Sequence, residues 1–170
     1  VYARHPGSAA APTAGLHLTP SLLDRIADAG ATVAAVQLDV GLATFRPITT
    51  DDVTAHTMHT ERYRIAPAVW ERVSRARRVV AIGTTTVRAL ESAAATGVLD
   101  GDSSLFITPG YDWRVVDVMM TNFHLPRSSL LVLVEAFVGP RWKDLYAAAL
   151  RRDYRCLSFG DAMLLERSTS

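Results

Sequence analysis

Cysteine is nearly absent: Cys156 stands alone in 170 residues. No disulfide can form within the chain, so its own core has to hold the fold. No apolar run approaches the ~20 residues that a membrane-spanning helix requires, and no secretory leader pattern is visible. Net charge is missing as well, since 18 basic and 17 acidic residues leave +1. Bulk charge therefore neither favours nor excludes nucleic acid, and any such contact must come from local patches. The single cysteine fits a reducing, cytoplasmic setting. There is no initiator methionine either; the chain opens at Val1-Tyr2-Ala3 and is expected to be a fragment.

The chain is long and apolar enough to bury one core, and the expectation is a single α/β domain over residues 1–170. Thr19-Pro20 reads as a capped helix start, with Leu22, Leu23, Ile26 and Ala27 at helical spacing and Gly30 closing it. Thr32 to Leu38 reads as a buried strand, Gly41 to Thr50 as loop, and Thr60 to Ile65 as a short polar strand. Pro67 opens a helix with Val69, Trp70, Val73 and Ala76 inward. Val79 to Ile82 is the clearest parallel-type strand, followed by a helix ending near Gly97. Leu105 to Ile107 and Val115 to Met120 are predicted strands, separated by the Pro109-Gly110 turn. Ser128 or Ser129 caps a buried helix through Phe137, Pro140 opens another, and Ala162 to Leu165 reads as a last strand. This alternation predicts βαβ units around a mostly parallel sheet, a TIM-like or incomplete barrel. Ligands of such folds gather beyond the C-terminal strand ends, which predicts a rim of Asp39–Arg46, Gly83–Thr86, Pro109–Tyr111 and Thr121–Pro126.

The richest junction is Gly83-Thr84-Thr85-Thr86, where a strand turns into a helix. Free backbone amides, hydroxyls and the positive end of a helix suit a carboxylate or phosphate. A plain Thr-capped crossover helix reads equally well. Arg88 and Glu91 share the next turns of that helix and are spaced to bracket a ligand. Asn122 and His124, in Thr121-Asn122-Phe123-His124-Leu125-Pro126, form either an acid/base element or a polar loop. Asp117 interrupts an apolar run, so it is a rim carboxylate or an edge charge. The spacing His56-x-x-His59-x-Glu61 admits an open zinc site, though substrate or loop hydrogen bonding fits better. His17 follows small residues that let backbone approach a ligand. Arg72/Arg75/Arg77/Arg78 and Arg151/Arg152/Arg155 are basic clusters within reach of phosphates, or solvated faces. Cys156 reads as packing.

Six segments in this order carry a resemblance: Pro12–His17, Val40–Pro47, His56–Glu61, Gly83–Arg88, Thr121–Pro126 and Ser158–Met163. They resemble the C-terminal half of the S-adenosylmethionine:tRNA ribosyltransferase-isomerases of the queuosine pathway. The resemblance implies that S-adenosylmethionine is a co-substrate and ribosyl donor, with no metal. It implies transfer to 7-aminomethyl-7-deazaguanine at the wobble position of tRNA, giving epoxyqueuosine with loss of adenine and methionine. His17, His124 and Asp161 become acid/base candidates, with Asp117 behind them. Substrate contacts are expected at Thr13, Gly15, Thr44, Arg46, His56, His59, Glu61, Gly83, Thr84, Thr85, Thr86, Arg88, Glu91 and Asn122, with the Gly83–Thr86 turn taking the methionine carboxylate. Asp39 stands where the family pattern has histidine, and Cys156-Leu157 replaces an aromatic pair. The family's N-terminal segment and inserted β-barrel domain are not in the chain, so a missing segment or partner chain is expected. Two rivals remain at this stage: a non-catalytic piece that binds tRNA or a partner, and a metal-dependent α/β hydrolase using His56, His59 and Glu61.

Overall fold

The computed structural model describes residues 8, 11, 13–41, 48, 53, 56 and 58–168. Along them run α1 (Pro20–Asp28), β1 (Gln37–Asp39), β2 (Glu61–Arg64), α2 (Pro67–Arg75), β3 (Val80–Ile82) and α3 (Thr84–Thr96). Then follow β4 (Asp100–Ser103), β5 (Val118–Asn122), α4 (Ser129–Val138), α5 (Trp142–Arg151) and β6 (Ala162–Glu166). Local chemistry sets several boundaries. The Thr19 hydroxyl accepts from the Leu22 amide with Pro20 in the first turn of α1, and Ser128 accepts from Leu131 at the start of α4. Gly97 and Gly139 end α3 and α4 at φ 74° and 68°, a region that costs other residues energy.

The strands form two three-stranded sheets among the described residues, ordered β1-β2-β4 and β3-β5-β6. The first is antiparallel throughout; in the second, β3 and β5 run parallel and β6 returns antiparallel. The α/β class holds, but the mostly parallel sheet and TIM-like barrel do not describe this arrangement. Strand β4, Asp-Gly-Asp-Ser, is not among the expected strands because it carries no apolar alternation. Its backbone ladders with β2, and on the exposed face Asp100 meets Arg62 and Arg64 at 2.9 and 2.7 Å. Those guanidiniums, Arg64 first, hold the Asp100 carboxyl below its ordinary range.

Other boundaries also move. Only Gln37 and Leu38 of the expected first strand pair, with Asp39 added in β1, and residues 31–35 are exposed coil. Leu105–Ile107 is irregular, and the fifth strand starts three residues late, at Val118. Ala76 is the exposed C-cap of α2, not an inward residue.

Helix α3 is the hub, touching β3 and β5 of one sheet and β4 of the other. Its Val87, Ala89, Leu90 and Ala93 are buried in a core with Met119, Leu133, Val134, Phe137 and Ile65. Burying each large apolar side chain contributes about 1.5–3 kcal/mol, so removing this helix would dismantle both sheets.

A candidate ligand site at the end of a parallel strand pair

Because β3 and β5 are parallel, their C-terminal ends share one edge of the second sheet. The Gly83 amide donates to the Met120 carbonyl at 2.8 Å, carrying the ladder one residue into the turn. Gly83 then adopts φ 91°, a left-handed value glycine reaches freely, and no side chain caps α3. The amides of Thr84, Thr85 and Thr86 have no carbonyl one turn earlier in the helix to bond. Thr84 is buried; Thr85 and Thr86 are half-buried.

Three segments converge beside this turn. The 3₁₀ turn Thr13–His17 packs against β5, and a Cβ built on Gly83 would meet Ala14 at 3.9 Å. Asn122, buried at the end of β5, accepts from the Thr13 hydroxyl at 3.0 Å and donates to the Asp161 carbonyl at 3.4 Å. Asp161 directly precedes β6, whose Ala162 stands opposite Asn122. One Asp161 oxygen, Oδ2, accepts from the Arg155 amide at 2.7 Å. Gly15 is buried and His17 exposed in the same turn.

His124 follows on the same edge. Its Nε2 lies 2.9 Å from the Thr121 hydroxyl, and its amide donates to Tyr146 Oη at 2.9 Å. Burial pushes the imidazole down to about 4, so the ring is neutral at physiological pH. A threonine hydroxyl serves either tautomer, which leaves the ring able to donate or accept.

The other sequence candidates are not part of this hydrogen-bonded cluster. Arg88 and Glu91 point into the protein instead of bracketing the turn. Arg88 Nη1 pairs with Glu61 at 2.6 Å, both side chains 3% exposed, and its other nitrogens reach the carbonyls of His59, Ser103 and Leu105. Burial lowers the guanidinium's pKa, and the Glu61 charge opposes that shift. Glu91 Oε1 accepts from the amides of Val115 and Val116, and Oε2 from the Arg114 amide and Tyr111 hydroxyl. Tyr111 is driven to about 12 by burial and then by Glu91. Segment 109–111 thus belongs to the Glu91 flank and not to the rim.

Asp117 sits at the opposite end of β5 from Asn122. Its Oδ2 accepts from the Val79 amide at 2.8 Å and its Oδ1 lies 3.5 Å from Arg167. It latches strands as an edge charge. Asp39 ends β1, in the first sheet. His56 packs edge-on against Phe106, His59 is half-buried, and the Glu61 carboxylate is held by Arg88. Among the described residues, no group of three or more His, Cys, Asp or Glu side chains is gathered for a metal. Thr44 and Arg46 lie outside the described residues; nearby Ile48 donates to the Arg127 carbonyl at 2.7 Å, in the loop after His124. Tyr146 is the neighbour that sequence reasoning missed as a partner of His124. Only its place on the inward face of α5 could have signalled it.

Residues 1–165 match the profile of the queuosine biosynthesis proteins. The chain belongs to that family. It is 54% identical over 166 residues to the S-adenosylmethionine:tRNA ribosyltransferase-isomerase of Rubrobacter xylanophilus, covering 97% of this chain and 50% of the relative. The Moorella thermoacetica protein of the same name is 51% identical over 174 residues, covering 97% and 51%. The crystal structure of the S-adenosylmethionine tRNA ribosyltransferase from Thermotoga maritima superposes with a TM-score of 0.74 at 40% identity, over 89% of this chain and 50% of that one. This queuosine biosynthesis chain spans about half the length of the curated relatives it matches.

Proposed function

We propose that residues 1–170 form one α/β domain that carries the S-adenosylmethionine site of a tRNA ribosyltransferase-isomerase. The reaction would move and isomerise the ribosyl group of S-adenosylmethionine onto 7-aminomethyl-7-deazaguanine at the wobble position of tRNA. Adenine and methionine would be released and epoxyqueuosine formed. The observation that carries this reading is the convergence of Thr13, Asn122, Asp161 and neutral His124 beside an uncapped helix start, in a chain of this family.

The chemistry asks for three things and the edge supplies a candidate for each. The methionine carboxylate needs donors, for which the Thr84–Thr86 amides stand at the positive helix end. The sulfonium acidifies the ribose C5′ proton, and the Asp161 carboxylate is the base we assign to it. Departing adenine needs a hydrogen-bond donor. His124, held neutral, can donate without first being protonated. Asn122 would orient both sides of the site through Thr13 and Asp161. His17, Gly15, His56 and His59 are kept as flanking contacts, and Asp117, Arg88, Glu61 and Glu91 as framework.

No metal is required by this scheme. A cytoplasmic location follows from the tRNA substrate, and no helix among the described residues is long and apolar enough to cross a membrane.

The test is incubation of the full chain with S-adenosylmethionine and tRNA carrying the precursor base, with free adenine as the readout. Release of adenine that depends on Asp161 and His124 supports the reading; release unchanged in Asp161→Asn and His124→Ala rejects the assignment of roles.

A further inference from the structure

We propose that Arg88 is a positioning residue that keeps the first turn of α3 in register with the His59–Glu61 segment, and that it sets S-adenosylmethionine affinity without touching the ligand. This inference rests on the reading that both segments face the S-adenosylmethionine site. Arg88 lies one helical turn past Thr84–Thr86, and its side chain is sealed from solvent. Its planar fork reaches four acceptors from two other parts of the chain. Nη1 binds Glu61 Oε2 at 2.6 Å and Nη2 the His59 carbonyl at 3.3 Å, both where the chain enters β2. Nη2 also meets the Ser103 carbonyl at 3.3 Å and Nε the Leu105 carbonyl at 2.9 Å, both where the chain leaves β4.

A guanidinium can do this because its donors leave in fixed directions, so the spacing of the segments is set by one rigid group. A lysine ammonium at the same place keeps the pair with Glu61 but loses the fork. Glu61 contributes the charge that holds the guanidinium in its dry site, so neutralising it should loosen the same junction from the other side.

The experiment is steady-state kinetics on the full chain bearing Arg88→Lys or Glu61→Gln, with adenine release followed while each substrate is varied, alongside thermal melting. Loss of one or two hydrogen bonds to a charged group should raise KM for S-adenosylmethionine about tenfold in both variants. The turnover number and KM for tRNA should stay within about threefold, because Arg88 meets no reacting atom. If Arg88→Lys does not fold, the isosteric Glu61→Gln decides by the same criteria. An unchanged KM for S-adenosylmethionine in a folded variant overturns the proposal. So does a parallel decline of kcat and both KM values that tracks melting temperature, the mark of general loosening. Absence of adenine release from the unaltered protein would instead overturn the functional reading beneath it, which separates the two failures.

Discussion

The first turn of α3 and its second and third turns each carry polar side chains, yet the protein treats them in opposite ways. At Arg88 and Glu91 nearly every charged atom is taken by the protein itself. Arg88 serves the carbonyls of His59, Ser103 and Leu105, and Glu91 serves the amides of residues 114–116. These two side chains act as surrogate backbone for a crossover between β4 and β5 that has little regular structure of its own. At Gly83–Thr86 no side chain caps the helix, and the nearest neighbours are small or hydrogen-bonded to one another. Saturated polar groups hold a fold; polar groups with capacity to spare are what a ligand can use.

That contrast can be broken at either end. The largest effect is expected at Glu91, since Glu91→Ala strands the Tyr111 hydroxyl and three backbone amides, that of Val116 buried and those of Arg114 and Val115 part-buried. Denaturant unfolding should show a loss of about 3–5 kcal/mol, the sum over several donors left without their acceptor. A variant that melts like the parent would show that the crossover does not need this carboxylate.

His124 comes next. Its folded pKa of about 4 lies below the ordinary histidine value of 6.5, so the unfolded chain takes up the proton first as pH falls. Stability from this group is complete above 6.5 and is lost progressively down to about pH 4, roughly 3 kcal/mol in all. The Thr121 hydroxyl offers the ring a hydrogen bond but no compensating charge. His124→Gln should flatten that acid limb, and His124→Ala should slow adenine release by about a hundredfold if the ring assists the leaving group. Parallel acid limbs in parent and variant would place the proton uptake elsewhere.

A smaller effect is expected at the turn. Thr85→Ala should weaken S-adenosylmethionine binding about fivefold by calorimetry, the cost of one neutral hydrogen bond, with the melting temperature unchanged. Smallest of all is Arg62→Gln on the exposed face of the first sheet. Its ion pair with Asp100 lies in water, so neither melting nor turnover should move measurably. A clear loss of activity in Arg62→Gln would mean that the charged ladder faces a substrate.

How far the sequence could be read follows from where each signal resides. Helix starts at Thr19-Pro20, Pro67 and Ser128 were legible because caps and prolines act within one turn. The β3–α3 junction was legible from a short apolar run meeting Gly83. Strand β4 was not, since nothing local marks it and its ladder partner β2 lies about 40 residues away. Leu105–Ile107 looks like a strand, yet Arg88 captures the Leu105 carbonyl on which a ladder would draw. The i,i+3 spacing rightly set Arg88 and Glu91 on neighbouring turns of one helix, but nothing local says whether such a face meets a ligand or the chain's own backbone. Asn122 and Asp161 were named from separate motifs, and only the antiparallel return of β6 brings them together.

A crystal structure of the chain with S-adenosylmethionine tests the central claim most directly. The account predicts the methionine carboxylate within about 3 Å of the Thr84–Thr86 amides, with the adenine on the Asn122–His124 side. A carboxylate seated anywhere else, with the helix start left to water, would contradict it.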